Sequence, residues 1–156
     1  MLIEQQIAER QTRAKDAVNR ILERPSSGLY GDYRIKSASK KIYRVALRGP
    51  GLFENYCSCP DFAINTLGTC KHIEAILLPL RQRHGGALER EKFQRTRASI
   101  SLHYGETIGI RLRLPSKPLP ALQSLAQQYF DSEGLLRSEH FKEFEHLLEE
   151  FRRADA

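Results

Sequence analysis

The 156-residue chain has three cysteines, and all of them fall within NYCSCPDFAINTLGTCKHIEAIL at positions 55–77, which restricts the fold more than any other feature. Cys57 and Cys59 are one residue apart; after ten intervening residues come Cys70 and His72, again one residue apart. Side chains two positions apart on an extended strand point to the same side, so Cys57 and Cys59 can converge on one ion from a segment ending at Pro60. On a helix, positions i and i+2 face nearly opposite ways. Cys70 and His72 therefore converge only if Cys70 lies at or before the first turn, and the spacing predicts a helix that begins near residues 69–71. Three thiolates and an imidazole are a common tetrahedral donor set for zinc. The helix N-terminus and Lys71 both favour negative charge there, which lowers the cost of ionising the thiols.

Competing readings of the same residues are weaker. An odd number of cysteines cannot pair fully within one chain, and clustered cysteines in a reducing compartment more often bind metal. Three buried free thiols with a core histidine are the bland alternative. His72-x-Glu74 resembles the His-x-Glu of zinc deaminases, but that signature needs a Pro-Cys-x-x-Cys after the histidine, and no cysteine follows Cys70. Four protein ligands would also leave no open position for water. Glu74 thus reads as an exposed helix residue. His84, His103, His140 and His146 stand apart, without ligand-type spacing. The Gly-x-x-x-x-Gly-Lys-Ser/Thr loop that cradles nucleotide phosphates is absent, so the chain is expected not to be an enzyme and any ATPase activity must come from elsewhere.

Apolar periodicity organises the rest. Ile3, Ile7, Ala14, Val18, Ile21 and Leu22 recur at helical spacing, which predicts an amphipathic helix over residues 1–25, ended by Pro25-Ser26-Ser27-Gly28. Strands follow: Tyr43, Val45 and Leu47 alternate with Ile42, Arg44, Ala46 and Arg48. Gly49-Pro50-Gly51 turns the chain, and a return strand through Leu52, Phe53 and Tyr56 delivers Cys57. Beyond Cys70, Ile73, Ile76, Leu77 and Leu80 mark a helix burying one face, with Pro79 expected to kink or end it and Gly85-Gly86 to close it. A second hairpin is expected from Ile100, Leu102 and Tyr104, a turn at Gly105-Glu106-Thr107, and Ile108, Ile110, Leu112 and Leu114, with one face buried. Prolines 115, 118 and 120 lead to a helix carrying Leu122, Leu125, Tyr129 and Phe130. After a turn at Asp131–Gly134, Ser138 is expected to cap a last helix with Phe141, Phe144, Leu147, Leu148 and Phe151 on one stripe. The fold class is α+β, in three segments: the helix at 1–25, a module at 29–86 around the cysteines, and a hairpin with two helices at 95–156.

The motifs CSCPDF and CKHIEAIL, preceded by a hairpin and followed by an apolar helix, resemble the SWIM-type zinc finger over roughly residues 41–80. The resemblance implies a small zinc-centred ββα module holding one structural Zn2+ through Cys57, Cys59, Cys70 and His72. SWIM modules occur in bacterial Swi/Snf-type ATPases, which are helicase-like motors, in mutator-type transposases and in some ubiquitin ligases, and are regarded as DNA- or protein-binding. In the bacterial ATPases the module lies upstream of the motor and is followed by a region similar to residues 98–150. That similarity implies an accessory region or subunit of such a motor.

Charge is uneven. Residues 26–97 hold thirteen Lys/Arg against six Asp/Glu, whereas residues 131–156 hold four against eight. A basic field around a metal site suits a phosphate-bearing partner. The expected partner is DNA, bound without sequence preference through Arg34, Lys36, Lys40, Lys41, Arg44, Arg48, Lys71, Arg81 and Arg83, with Tyr30, Tyr33 and Tyr43 available to stack on bases. The alternative is a zinc-stabilised adapter that grips a protein without touching DNA. No apolar run approaches the roughly 20 residues a membrane helix needs, and the start Met1-Leu2-Ile3-Glu4 lacks the pattern of a secretion signal. A cytoplasmic location with no membrane partner is therefore expected.

Overall fold

The computed structural model describes residues 2–104 and 107–155, which form two compact units, Met1–Phe93 and Gln94–Ala156, each with its own core. The fold is α+β. No helix among the described residues is long and apolar enough to cross a membrane.

The first unit opens with helix α1, Ile3–Ala17, followed by a single 3-10 turn at Val18–Arg20 and strand β1, Ile21–Glu23. The helix expected over residues 1–25 thus stops at Ala17. Ile21 is taken into an antiparallel pairing with Ile35 across the neighbouring strand, a long-range contact that overrides the local helical spacing. Strands β2 (Gly31–Lys36), β3 (Ile42–Leu47) and β4 (Tyr56–Cys57) complete an antiparallel sheet in the order β1-β2-β3-β4. The partner that β3 pairs with at length is β2, through six residue pairs from Gly31↔Leu47 to Lys36↔Ile42. The expected return strand shrinks to β4, whose Cys57 and Tyr56 pair with Val45 and Ala46. Leu52 is exposed, and Phe53 adopts a left-handed φ of 63°, which no strand accommodates.

Helix α3, Lys71–Arg90, lies across the inner face of the sheet and buries Ile73, Ile76, Leu77 and Leu80 with Tyr33, Ile35, Val45 and Leu47. It starts within the expected window but runs past both of its expected breaks. Non-helical backbone occurs at His84, and the helix resumes after it. Leu88 explains the continuation: it is fully buried in the same core, and its carbonyl accepts the Tyr30 hydroxyl. The gain from burying it, about 1.5–3 kcal/mol, offsets the cost of Gly85 and Gly86 in a helix, about 1 kcal/mol each. α1 packs on α3 through the small residues Ala14 and Ala17. A further short helix, α2 (Pro60–Asn65), occupies the spacer between Cys59 and Cys70, where no element was expected.

The second unit pairs β5 (Ser99–Tyr104) with β6 (Ile108–Arg113) and adds α4 (Pro120–Tyr129), a 3-10 segment at Ser138–Glu143 and α5 (Phe144–Ala154). Leu112, Leu122, Tyr129, Phe130, Leu136, Leu147 and Phe151 form its core. The expected turn at Gly105-Glu106-Thr107 lies partly outside the described residues. The apolar face of the hairpin is covered only near its base, for Leu102 is 62% and Ile108 70% exposed. Ser138 caps nothing: Arg137 precedes the 3-10 segment without a side-chain cap, and Phe141 is exposed rather than part of the buried stripe.

Candidate metal centre

Each half of the cysteine-histidine pattern reaches the site by a different backbone device. Cys57 ends β4, and the chain stays extended through Cys59, so both thiols turn inward while Ser58 turns outward. Ser58 extends the strand pairing: its N–H donates to the carbonyl of Arg44, and its hydroxyl accepts the Arg44 N–H, each at 3.0 Å. Cys59 is then the N-cap of α2, its sulfur accepting the Phe62 N–H at 3.4 Å. α2 stops at Thr66, in left-handed conformation, and Asn65 fixes the following loop by donating to the Thr69 carbonyl and accepting from Leu67 N–H. Cys70 is extended, with φ −153°, and is the N-cap of α3; His72 follows one residue inside. Keeping Cys70 off the helix lets its thiol and the His72 ring meet.

The four ligand atoms lie within 4.8 Å of one another, and all four residues are buried. His72 Nδ1 stands 3.8 Å from Cys57 Sγ. With Zn–S near 2.3 Å and Zn–N near 2.0 Å, a tetrahedral ion needs donor separations of about 3.5–3.8 Å, which the Cys57–His72 pair already meets, while donors as far apart as 4.8 Å would draw in by about 1 Å. The thiols alone compete with one another. Hydrogen bonds from Cys57 and Cys70 drive Cys59 far below the ordinary thiol range. Cys57 is pushed up to about 12, chiefly by its hydrogen bond to Cys59, and Cys70 is pushed well above the thiol range by the other two. A cluster that ionises readily once needs a cation to ionise three times, and a divalent ion supplies that charge. Cys57, Cys59, Cys70 and His72 thus form a group that could hold one zinc ion. Four protein donors make it a closed site of the structural kind.

Residues around the ligands correct two expectations. Glu74 is not exposed: at 2% exposure it accepts the Thr69 hydroxyl at 2.7 Å and Arg81 Nη1 at 3.3 Å. It ties the loop that ends in Cys70 to the first turn of α3, and its burial is supported by those two donors. Tyr30 and Tyr33 are buried core residues whose hydroxyls donate to the carbonyls of Leu88 and Leu29, so neither can stack on a base. Tyr43 is half-buried against the His72 ring, with centroids 5.0 Å apart.

Among the basic candidates, Arg44 and Arg48 converge on Asp32 at 2.8 and 2.7 Å, and the Arg48 guanidinium lies over the Phe93 ring. Burial works to raise the Asp32 carboxyl, but hydrogen bonds from Arg44 and Arg48 outweigh it and hold the group below its ordinary value. Arg81 spans Glu74 and the Pro50 carbonyl. Lys71 is half-buried beside Cys70. Arg34, Lys36, Lys40, Lys41 and Arg83 are exposed and make no ion pair among the described residues. Arg34 and Lys36 share the outer face of the sheet with Arg44; Lys40 and Lys41 lie in the β2–β3 turn, and Arg83 lies apart on α3.

Asn55 and Gly68 carry structural roles that no motif announces. Asn55 Oδ1 accepts the N–H groups of Arg48 and Gly49, and its Nδ2 donates to the Gly49 carbonyl, which fixes the turn leading to Cys57. Gly68 has φ +74°, and a Cβ there would lie 2.5 Å from the Phe53 ring, so only glycine fits two residues before Cys70. An asparagine between a Gly-Pro-Gly turn and a strand, and a glycine just before a ligand, were the available signals.

Residues 43–78 match the SWIM zinc finger family. No curated protein and no solved structure matches the chain.

Proposed function

From a chain whose residues 43–78 are a SWIM-type zinc finger, we propose an accessory region or subunit that binds DNA without sequence preference on behalf of a Swi/Snf-type motor. The role is one of binding, with any ATP hydrolysis belonging to the motor. The observation that carries the DNA reading is the outer face of the sheet. Arg34 stands directly opposite Arg44 across the β2–β3 ladder, with Lys36 on the same face and Lys40 and Lys41 at its turn. Asp32 offsets part of the charge of Arg44 and Arg48, so the surplus on that face is Arg34 and Lys36 with the two lysines of the turn, and a polyanion laid there neutralises it. The surplus charge is concentrated in the same unit: residues 1–93 hold sixteen Lys/Arg against ten Asp/Glu, whereas residues 94–156 hold nine against nine. The link to a Swi/Snf-type motor rests on the sequence resemblance alone.

Fluorescence anisotropy with a labelled duplex over a salt series tests the reading. The expected dissociation constant is about 1–100 μM near physiological salt, weakening steeply as salt rises because phosphate contacts release counterions. Substituting Arg34→Glu together with Lys36→Glu is expected to weaken binding several-fold with zinc content unchanged. Binding indifferent to both salt and the double substitution would transfer the proposal to a zinc-stabilised protein adapter.

A further inference from the structure

The short helix α2 has an unusual position. It holds Cys59 at its N-cap, yet none of its own residues is buried, and six residues are far too few for a helix to persist on its own propensity. Phe62, partly buried, is the one hydrophobic side chain of α2 that packs against the core, which is thin support for a helix closed over a ligand. Phe62 packs edge-on against Tyr56 and Asn65 fixes the following loop, but the strongest polar tie comes from a distant part of the chain. Arg10 of α1 grips Asp61, the second residue of α2, with two parallel hydrogen bonds, Nε to Oδ2 at 3.0 Å and Nη2 to Oδ1 at 2.7 Å. Its third nitrogen, Nη1, donates to the Gln6 carbonyl one turn earlier at 3.1 Å, so the guanidinium is braced against its own helix. The Arg10 side chain is only 13% exposed. A bidentate, partly dehydrated arginine-carboxylate pair is stronger and more directional than an ordinary surface ion pair.

The charge of Arg10 also bears on the ligands. Its protonated form is favoured chiefly by the Asp61 hydrogen bonds, which outweigh the opposing effect of its partial burial. A divalent zinc ion with three thiolates and a neutral imidazole carries a net charge of −1, which a nearby guanidinium offsets.

We infer that Arg10 and Asp61 are positioning residues for the zinc centre, a latch by which α1 holds α2, and Cys59 with it, against the ion. Arg10 lies outside the matched residues 43–78, so the latch is supplied by the flanking helix and not by the finger itself. Zinc leaves a closed site by detaching one ligand at a time, and Cys59, on the segment with the least buried surface, is the ligand whose detachment the latch opposes. The inference rests on zinc occupying the site.

The test uses the full chain loaded with zinc, with release to a chromophoric chelator followed for the wild type, Arg10→Gln, Asp61→Asn, the double variant and Arg10→Lys. Either single substitution is expected to speed release about tenfold, the scale on which groups behind metal ligands act. The double variant should be no faster than either single, because both remove one interaction. Arg10→Lys, which keeps the charge but loses the fork, should fall between. The non-additivity of the double variant and the intermediate rate of Arg10→Lys are signatures that a merely structural contribution of α1 would not produce. Should Arg10→Gln fail to fold, Asp61→Asn breaks the pair from the other side and decides the matter. Unchanged rates, or effects that add in the double variant, overturn the latch while leaving the zinc site intact. A wild-type chain that takes up no zinc overturns the site itself, and the latch with it.

Discussion

Replacing Cys70 with serine is expected to abolish stoichiometric zinc binding and to unfold residues 1–93, while residues 94–156 keep their structure. Cys57, Cys59 and Cys70 are not appended to a finished core; they are part of it, packed among Ile35, Val45, Ile73 and Ile76. A hydroxyl at position 70 offers zinc a far poorer donor and leaves two thiols and an imidazole buried without the ion that would satisfy them. Small zinc modules derive apparent binding energies on the order of 10 kcal/mol from coupling metal uptake to folding. That is as large as the whole net stability a unit of this size retains, about 5–10 kcal/mol. Circular dichroism with metal analysis reads the result: the variant should lose the signal of α1 and α3, and a chelator should produce the same change in the wild type. Wild-type helix content in the variant, with undiminished zinc, would contradict the expectation.

Truncating Phe151 to alanine should do the reverse, collapsing the second unit while leaving zinc content unchanged. Phe151 is buried in α5 and meets Phe130 edge to face at 5.8 Å, in a core that also holds Leu112, Leu122 and Leu147. Removing a buried phenylalanine side chain costs about 3–5 kcal/mol. A single core of roughly 60 residues rarely supplies more than about 3–5 kcal/mol in total, so the loss is comparable to the whole stability of the unit. Hydrogen exchange should show amides of α4 and α5 opening in the variant while those of α3 remain protected. Protection of α4 and α5 equal to the wild type would show that Phe151 carries none of this core.

What was legible in the sequence was local. The convergence of Cys57 with Cys59, and of Cys70 with His72, follows from the geometry of residues two apart, and so does the start of α3 at Lys71. The β5–β6 pairing was legible from alternation. What was not legible depended on partners far along the chain. Ile21 left the helical pattern because Ile35 pairs with it, and α3 outran Gly85-Gly86 because Leu88 belongs to the core. Glu74 looked like a surface residue because carboxylates usually are; Thr69 and Arg81, which meet it in space, permit its burial. Tyr30 and Tyr33 interleave with basic residues along the chain, but strand alternation sends Tyr33 inward while Arg34 stays outside. The Arg10–Asp61 pair joins residues 51 positions apart, and neither one stands out in its own neighbourhood.

Zinc K-edge X-ray absorption on the purified chain reads out whether one zinc ion is held by three sulfurs and one nitrogen. The expected result is one equivalent of zinc with three sulfur neighbours near 2.3 Å and one nitrogen near 2.0–2.1 Å. A first shell of oxygen and nitrogen without sulfur, or a chain that is fully folded with no metal, would contradict it.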